Sequence, residues 1–233
     1  MTGLVIEATN VVKYLGSGAG RVAAVRGISL SLTGGQLALL MGPSGSGKTT
    51  LLSMLGCMLT PTSGTIRILG QATAGLLPER LADLRRRHVG FIFQNYHLFP
   101  TLTAAENVRL ALEMRGEHPW RAHAKAANAL ETVGLAHKVR AFPRELSSGE
   151  QQRIAIARAI VANPAVVLAD EPTAALDSAN GHAIMTLLAK IAKDPSRAVL
   201  IVTHDPRVLP FADRVVNIED GRLVDKSPQA KPE

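Results

Sequence analysis

A glycine-rich octapeptide, Gly42-Pro43-Ser44-Gly45-Ser46-Gly47-Lys48-Thr49, stands between an apolar run, Leu37 to Met41, and a helix-like stretch, Thr50 to Leu55. The pattern is Gly-x4-Gly-Lys-Thr in a strand-loop-helix context, that of a phosphate-binding loop. Its residue types follow from the chemistry. Glycines let the backbone turn tightly, so that successive N–H groups converge on phosphate oxygens. The helix that follows aims its positive end at the same anion, with Thr50 in its first turn. Lys48 supplies a point charge for β and γ phosphates, and the Thr49 hydroxyl is a ligand for Mg²⁺. A nucleoside triphosphate is the expected occupant.

Four apolar runs end on polar side chains. Met41 leads into the glycine loop, Phe93 into Gln94, Ala169 into Asp170-Glu171 and Val202 into Thr203-His204. In parallel α/β sheets the carboxyl ends of the strands share one edge, where ligands bind. Lys48, Thr49, Gln94, Asp170, Glu171 and His204 are therefore expected at one site despite their separation in sequence. Adjacent acids after a buried strand suit phosphoryl transfer. Asp170 would hold Mg²⁺ through water, and Glu171 would orient or deprotonate an attacking water.

The elements that must position these residues can be read from periodicity and breakers. Strands are expected over 4–12 and 22–32, with the glycine cluster 16–20 as a hairpin loop between them. Thr65 to Leu69 and His88 to Gln94 read as further strands, and 81–87 as a basic helix. Helical spacing marks 103–115, 120–133, 146–162 and 183–192. Ala165 to Ala169 and Ala198 to Val202 read as buried strands, and 214–224 as a closing hairpin. Cys57, the only cysteine, is expected inside the helix after the glycine loop, and the tail from Ser227 to Glu233 as disordered. Strands alternating with helices at both ends imply an α/β fold with a largely parallel sheet. The stretch 95–162, helices only, reads as an inserted helical lobe.

The chain has 233 residues, 46% hydrophobic and 19% charged, which describes a globular protein. No apolar run approaches the ~18 residues that span a bilayer. No signal-like leader stands at the start, so a cytosolic placement is expected. The net charge is +7, and residues 80–160 hold 13 Lys/Arg against 7 Asp/Glu, so nearly all the excess lies there. A solvated arginine-rich face and a phosphate- or partner-binding surface both fit. Aromatics amount to only 3%, with no stripe of them among the basic residues, so base stacking on nucleic acid is not expected.

Leu146-Ser147-Ser148-Gly149-Glu150-Gln151-Gln152-Arg153 resembles the signature of the ATP-binding-cassette (ABC) ATPases, usually Leu-Ser-Gly-Gly-Gln/Glu, about twenty residues before the paired acids. Gln94 is similar to that family's Q-loop glutamine, Ala174 to Asp177 to its D-loop, His204 to its switch histidine, and Tyr14 to the aromatic that stacks on adenine. The resemblance covers nearly the whole chain. It implies a P-loop NTPase (RecA-like) core, formed by 1–94 and 163–226, with an N-terminal antiparallel β subdomain and the helical lobe inserted. It implies Mg²⁺-dependent ATP hydrolysis in a head-to-tail dimer. Gly42 to Thr50 and Tyr14 of one copy would hold ATP against Ser147, Ser148, Gly149 and Glu150 of the other, with Asp177 nearby. Glu171, His204 and Gln94 would be catalytic, and Thr49, Gln94 and Asp170 would serve the metal. Ser148 departs from the pattern, replacing a glycine. Its side chain is expected to crowd the γ-phosphate or restrict the backbone, and Ser148→Gly to hydrolyse ATP faster.

Gly90 to Gln94, Leu98-Phe99-Pro100, Glu106-Asn107-Val108 and Asp170 to Thr173 resemble the MacB/LolD/DevA group of that family. This implies a subunit at the cytoplasmic face of the inner membrane that powers a separate permease, contacted through 96–101, with a periplasmic adaptor as a further candidate partner. Export, lipoprotein extraction and mechanical signalling stay open. So do a cell-division or peptidoglycan-regulating role without transport, and a soluble ATPase acting on nucleic acid or the ribosome.

Overall fold

The structure, a computed structural model, describes residues 3–224. The tail 227–233 lies outside them. Strand β1 (Leu4–Leu15) returns antiparallel through a glycine-rich loop into β2 (Val22–Thr33), and β3 (Leu37–Met41) leads into helix α1 (Lys48–Leu55). Next come β4 (Ser63–Ile68), β5 (Gln71–Ala72), α2 (Pro78–His88) and β6 (Val89–Ile92). Three helices follow, α3 (Ala104–Glu113), α4 (Pro119–Thr132) and α5 (Ser148–Ile160). The chain then runs β7 (Val166–Asp170), α6 (Ser178–Ala192), β8 (Ala198–Thr203), β9 (Arg214–Glu219) and β10 (Arg222–Val224).

Two sheets organise these elements. One is antiparallel, in the order β2-β1-β4-β5; the other has the order β10-β9-β3-β8-β7-β6 and is parallel except for its β9–β10 hairpin. The unbroken apolar runs of β3, β7 and β8 are explained by burial on both faces. Side chains alternate across a strand. Leu37, Leu39, Val167, Ala169, Val199 and Ile201 thus enter a core shared with α3 to α6. Ala38, Leu40, Val166, Leu168, Leu200 and Val202 enter a second core under α1, β1, β2 and β4.

Several boundaries differ from the sequence reading. Strand β6 stops at Ile92, two residues before Gln94, because its pairing with β7 ends at Ile92 opposite Ala169. Helix α6 begins at Ser178, not Ala183, because Asp177 caps it by accepting from Asn180 N–H at 2.9 Å. His88 closes α2 rather than opening β6. Cys57 lies beyond α1, not in it. Its N–H donates to Met54 O at 3.1 Å and Met58 N–H to Ser53 O at 2.9 Å, a helix end that puts Cys57 at φ +55° where glycine is usual. Burial favours the thiol there and pushes its pKa up to about 11, against Arg85.

Part of the basic excess is taken up within the chain. Arg85, Arg86, Arg115 and Arg158 donate to the carbonyls of Cys57, Met114, Ala162 and of Tyr96 with His97.

Three helices are capped by carboxylates. Glu106 accepts from Thr103 N–H and Glu150 from Ser147 N–H, each at 2.8 Å, closing capping boxes on α3 and α5. With Asp177 on α6, all three are held below the usual carboxylate range, chiefly by backbone N–H groups. A folded pKa below the unfolded one adds stability that is full above the unfolded value and is lost as pH falls through the folded one. The melting temperature is therefore expected to drop as pH falls below 4.5 for the glutamates and 3.8 for the aspartate. Calorimetry on Glu106→Gln and Glu150→Gln, whose neutral caps do not titrate, should show flatter pH profiles.

Candidate functional site

The glycine loop joins β3 to α1, and α1 differs from the other long helices at its N-terminus. Thr103, Ser147 and Asp177 cap α3, α5 and α6 with side chains, and α2 and α4 start with proline, which lacks the N–H. Gly47, at φ +100°, caps α1 with no side chain. The first N–H groups of α1 therefore face outward without a partner, next to Ser46, whose hydroxyl is buried and unpaired. A concave donor set of this kind fits an anion's oxygens. Lys48 is only 7% exposed and donates to Gly42 O and Pro43 O, both at 2.8 Å. Burial lowers its pKa, opposed by Glu171 and then Asp170.

The ends of β7 and β8 bring the acids to the same place. Thr49 Oγ1 donates to Asp170 Oδ1 at 3.3 Å. Burial raises the Asp170 pKa, Thr49 opposes it, and the Glu171 charge adds to it. Glu171 sits at φ +47°, a strained conformation for a non-glycine residue, with its N–H given to Val202 O at 2.9 Å. Its carboxylate is pinned on both oxygens. Thr203 Oγ1 donates to Oε2 at 3.0 Å, and His204 Nδ1 meets Oε1 at 2.6 Å. With Oε1 as acceptor, the proton belongs on Nδ1.

Other residues singled out from the sequence stand apart. Gln94 is exposed in the turn after β6, and no hydrogen bond ties it to the acids. Ser147, Ser148, Gly149 and Glu150 open α5 and make no hydrogen bond with the glycine loop. They pack instead beside Asp177: a Cβ on Gly149 would lie 2.8 Å from Asn180 Oδ1, and Asn180 Nδ2 donates to Asp177 Oδ2 at 2.6 Å. A Cβ at 149 would displace Asn180 from its bond to Asp177, and Gly149→Ala is expected to cut hydrolysis about 5- to 150-fold in a steady-state assay, an overpacking effect of about 1–3 kcal/mol. Ser148 takes ordinary helical geometry, so the backbone restriction expected for a serine there does not arise.

Tyr14 is 40% exposed, with the Arg21 guanidinium 4.1 Å from its ring centroid. The cavity beside the glycine loop, about 490 Å³, is lined instead by Leu15, Val22, Ala24, Thr50 and Asp220 among others. Asp220 belongs to the β9–β10 hairpin, which the sequence reading did not connect with the site. Gly221 N–H donates to Ser46 O at 3.0 Å, and a Cβ on Gly42 would lie 2.1 Å from Ile218 O. The hairpin buttresses the loop from about 175 residues away in sequence, and no local signal could have announced it. Thr203 was also passed over, since a lone hydroxyl at a strand end carries no motif.

Among the described residues no group of three His, Cys, Asp or Glu could by itself hold a metal. Thr49 and Asp170 form an incomplete oxygen set, which suits a hard cation that keeps waters and arrives with phosphate oxygens.

A family model described as ABC transporter matches residues 25–174. The chain is 44% identical over 228 residues to the macrolide export ATP-binding/permease protein MacB of Salmonella typhimurium, covering 98% of this chain and 35% of that protein. It thus spans about a third of the length of the MacB relatives. It is 43% identical over 222 residues to the lipoprotein-releasing system ATP-binding protein LolD of Bordetella pertussis, covering 95% of this chain and 96% of that one. A dimeric post-hydrolysis structure of the ATP-binding cassette MJ0796 bound to ADP and Pi superposes with a TM-score of 0.86 at 38% identity, over 94% of this chain and 96% of that chain.

Proposed function

Because this chain belongs to the ABC transporter family, we propose that its glycine loop and paired acids bind and hydrolyse ATP and that the work is delivered to a separate membrane permease. The chain is an ABC ATPase cassette. The observation that carries the site reading is the carboxylate of Glu171, clamped by Thr203 and His204 beside Lys48 and the Thr49–Asp170 pair.

In this reading Lys48 and the free N–H groups of α1 hold the phosphates, and Glu171 accepts a proton from the attacking water. His204 keeps the Glu171 carboxylate oriented through its Nδ1 contact with Oε1. Thr49 and Asp170, with Gln94, would hold Mg²⁺, which supplies charge neutralisation on the phosphate oxygens. Ser147 and Asp177 are exposed at the starts of α5 and α6, which meet where Gly149 packs on Asn180, and the MJ0796 cassettes are dimeric. Both support head-to-tail pairing, in which these helix starts close a second copy's nucleotide site. The helical lobe, about 95–162, is the part of this single ATPase domain that would tilt on closure.

The permease contact falls on a groove of about 800 Å³ lined by Phe91, Phe93, Phe99, Leu110 and Met114, with arginines at its rim. Phe99 and Met114 are 49% and 63% exposed. An apolar helix with an acidic residue is the complementary occupant. No helix of the described residues is long and apolar enough to cross a membrane. Attachment through that groove would place the chain at the cytoplasmic face of the inner membrane, with a periplasmic adaptor reached only through the permease. The MacB and LolD names favour export or lipoprotein release over the other roles.

Tagged Glu171→Gln protein isolated from detergent-solubilised membranes is expected to bring down a multi-span permease. The same protein carrying Phe99→Asp should recover at most about a tenth as much, the loss that burying one unpaired charge produces. Recovery only with ribosomes or nucleic acid would overturn the reading.

A further inference from the structure

The residues that follow His204 are fastened in a way that no motif announces. Asp205 N–H donates to Thr203 Oγ1 at 3.1 Å. A hydroxyl has a single proton, and an oxygen that accepts from Asp205 is free to give that proton to Glu171 Oε2, 3.0 Å away. The place of Asp205 therefore bears on the clamp at Glu171.

Asp205 is in turn held by Arg207. Its carboxylate caps the short 3₁₀ turn Pro206–Phe211 by accepting from Arg207 N–H at 2.9 Å. Arg207 Nε donates to both carboxylate oxygens at 3.0 Å, and the guanidinium holds the Asp205 carboxyl below the usual carboxylate range. The far side of the same group reaches another element. Nη1 donates at 3.0 Å to the hydroxyl of Ser178, the first residue of α6. A guanidinium serves two partners at once because its donors are fixed in a planar fork.

The turn meets α6 again at Phe211, whose ring stands edge-on to His182 with centroids 5.1 Å apart. Between these two points lies a cavity of about 220 Å³, lined by Gly181, Met185 and Val208 among others. At the Ser178 end, hydrogen bonds rather than close packing thus join the turn to the helix.

We propose that Arg207 is a positioning residue for hydrolysis: by fastening Asp205 to the start of α6, it keeps the Thr203 hydroxyl and His204 on the Glu171 carboxylate. The proposal rests on the reading of Glu171 as the base. The Arg207 side chain is 61% exposed, so its ion pair adds little to the stability of the fold, and its removal is felt in the rate. A carboxylate clamped less firmly points less often at the attacking water. Nucleotide binding, which falls to Lys48 and the glycine loop, is unaffected.

The test is steady-state ATP hydrolysis by the full chain as wild type, Arg207→Gln, Ser178→Ala, the double variant and Ser178→Thr. Arg207→Gln and Ser178→Ala are each expected to lower kcat about two- to tenfold, the worth of one hydrogen bond, with KM for ATP within about twofold. The double variant should be no slower than the slower single variant, because both changes break one bridge. Ser178→Thr keeps the hydroxyl and should behave as wild type. Single-turnover phosphate release supplies the decisive comparison. In a Glu171→Gln chain, adding Arg207→Gln should change the residual rate by less than about twofold, since the base it positions is gone. An equal loss with and without Glu171, a raised KM, multiplying effects in the double variant, or an unchanged kcat in either single variant would overturn the proposal. If Arg207→Gln loses its melting transition, Ser178→Ala against Ser178→Thr carries the comparison alone. A wild-type rate in Glu171→Gln by itself would instead overturn the site reading, whatever Arg207→Gln does.

Discussion

Glu171→Gln is expected to lower the rate of ATP hydrolysis by about 10²–10⁴-fold, the range that a positioned base contributes, while ATP affinity stays within a few-fold of wild type. The substitution keeps the shape of the side chain. Thr203 Oγ1 can still donate to the amide oxygen as it does to Oε2 at 3.0 Å, so the strained backbone at φ +47° stays anchored. What is lost is the ability to take a proton. ATP should then accumulate unhydrolysed, and the closed pair of subunits with it. Rapid-quench measurement of phosphate release gives the rate, and light scattering with ATP should show a dimer that the wild type forms only transiently. Unchanged phosphate release would remove Glu171 from the role of base. The partners of Glu171 separate two further effects. Thr203→Val keeps the strand and loses one clamp on the carboxylate, so kcat should fall by about tenfold with KM unchanged, one hydrogen bond's worth.

Lys48→Met is expected to weaken ATP binding about 10- to 100-fold and yet to raise the melting temperature of the nucleotide-free chain. The lysine is buried, and its partners without nucleotide are two carbonyls and the nearby acids. Burial leads among the influences on its pKa and lowers it. A lysine whose pKa falls on folding binds its proton less well in the folded chain. The protonated group therefore opposes folding at every pH below its folded value, and the opposition fades only as pH rises through that value toward 10.5. At neutral pH the full cost is present. Methionine is similar in length, fills the space and carries no charge, so the melting temperature should rise by about 2–4 °C, the change that roughly 1 kcal/mol makes in a chain of this size. Calorimetry without nucleotide and a fluorescent-nucleotide titration measure the two halves. A lower melting temperature would mean that the Gly42 and Pro43 contacts outweigh the desolvation. The gain in stability should shrink at alkaline pH, which distinguishes a charge effect from better packing.

Much of the protein follows from local chemistry. The unbroken apolar runs of β3, β7 and β8 identify strands buried on both faces, because only a parallel sheet covered on both sides tolerates them. Gly42 to Thr49 identify the phosphate loop through backbone demands that few residue types meet. The acids at 170 and 171 and the histidine at 204 could be assigned to one edge because every strand of a parallel sheet points the same way. Spacing placed these features without reference to distant parts of the chain.

What only the tertiary structure decided are relations between segments far apart in the chain. The β9–β10 hairpin presses on Gly42 and Ser46, and Thr203 and His204 pin Glu171 from the neighbouring strand. Arg158 holds Tyr96 and His97 from a helix about 60 residues later, and Asn180 fills the space that makes glycine necessary at 149 rather than at 148. Edges of elements moved for the same reason: β6 ends where β7 stops pairing with it, and α6 begins where Asp177 can cap it. Motifs report what a short stretch must do with its own backbone. Close approach, burial and carboxylate orientation depend on which distant surfaces the fold brings into contact, and those are set by packing across the whole sheet.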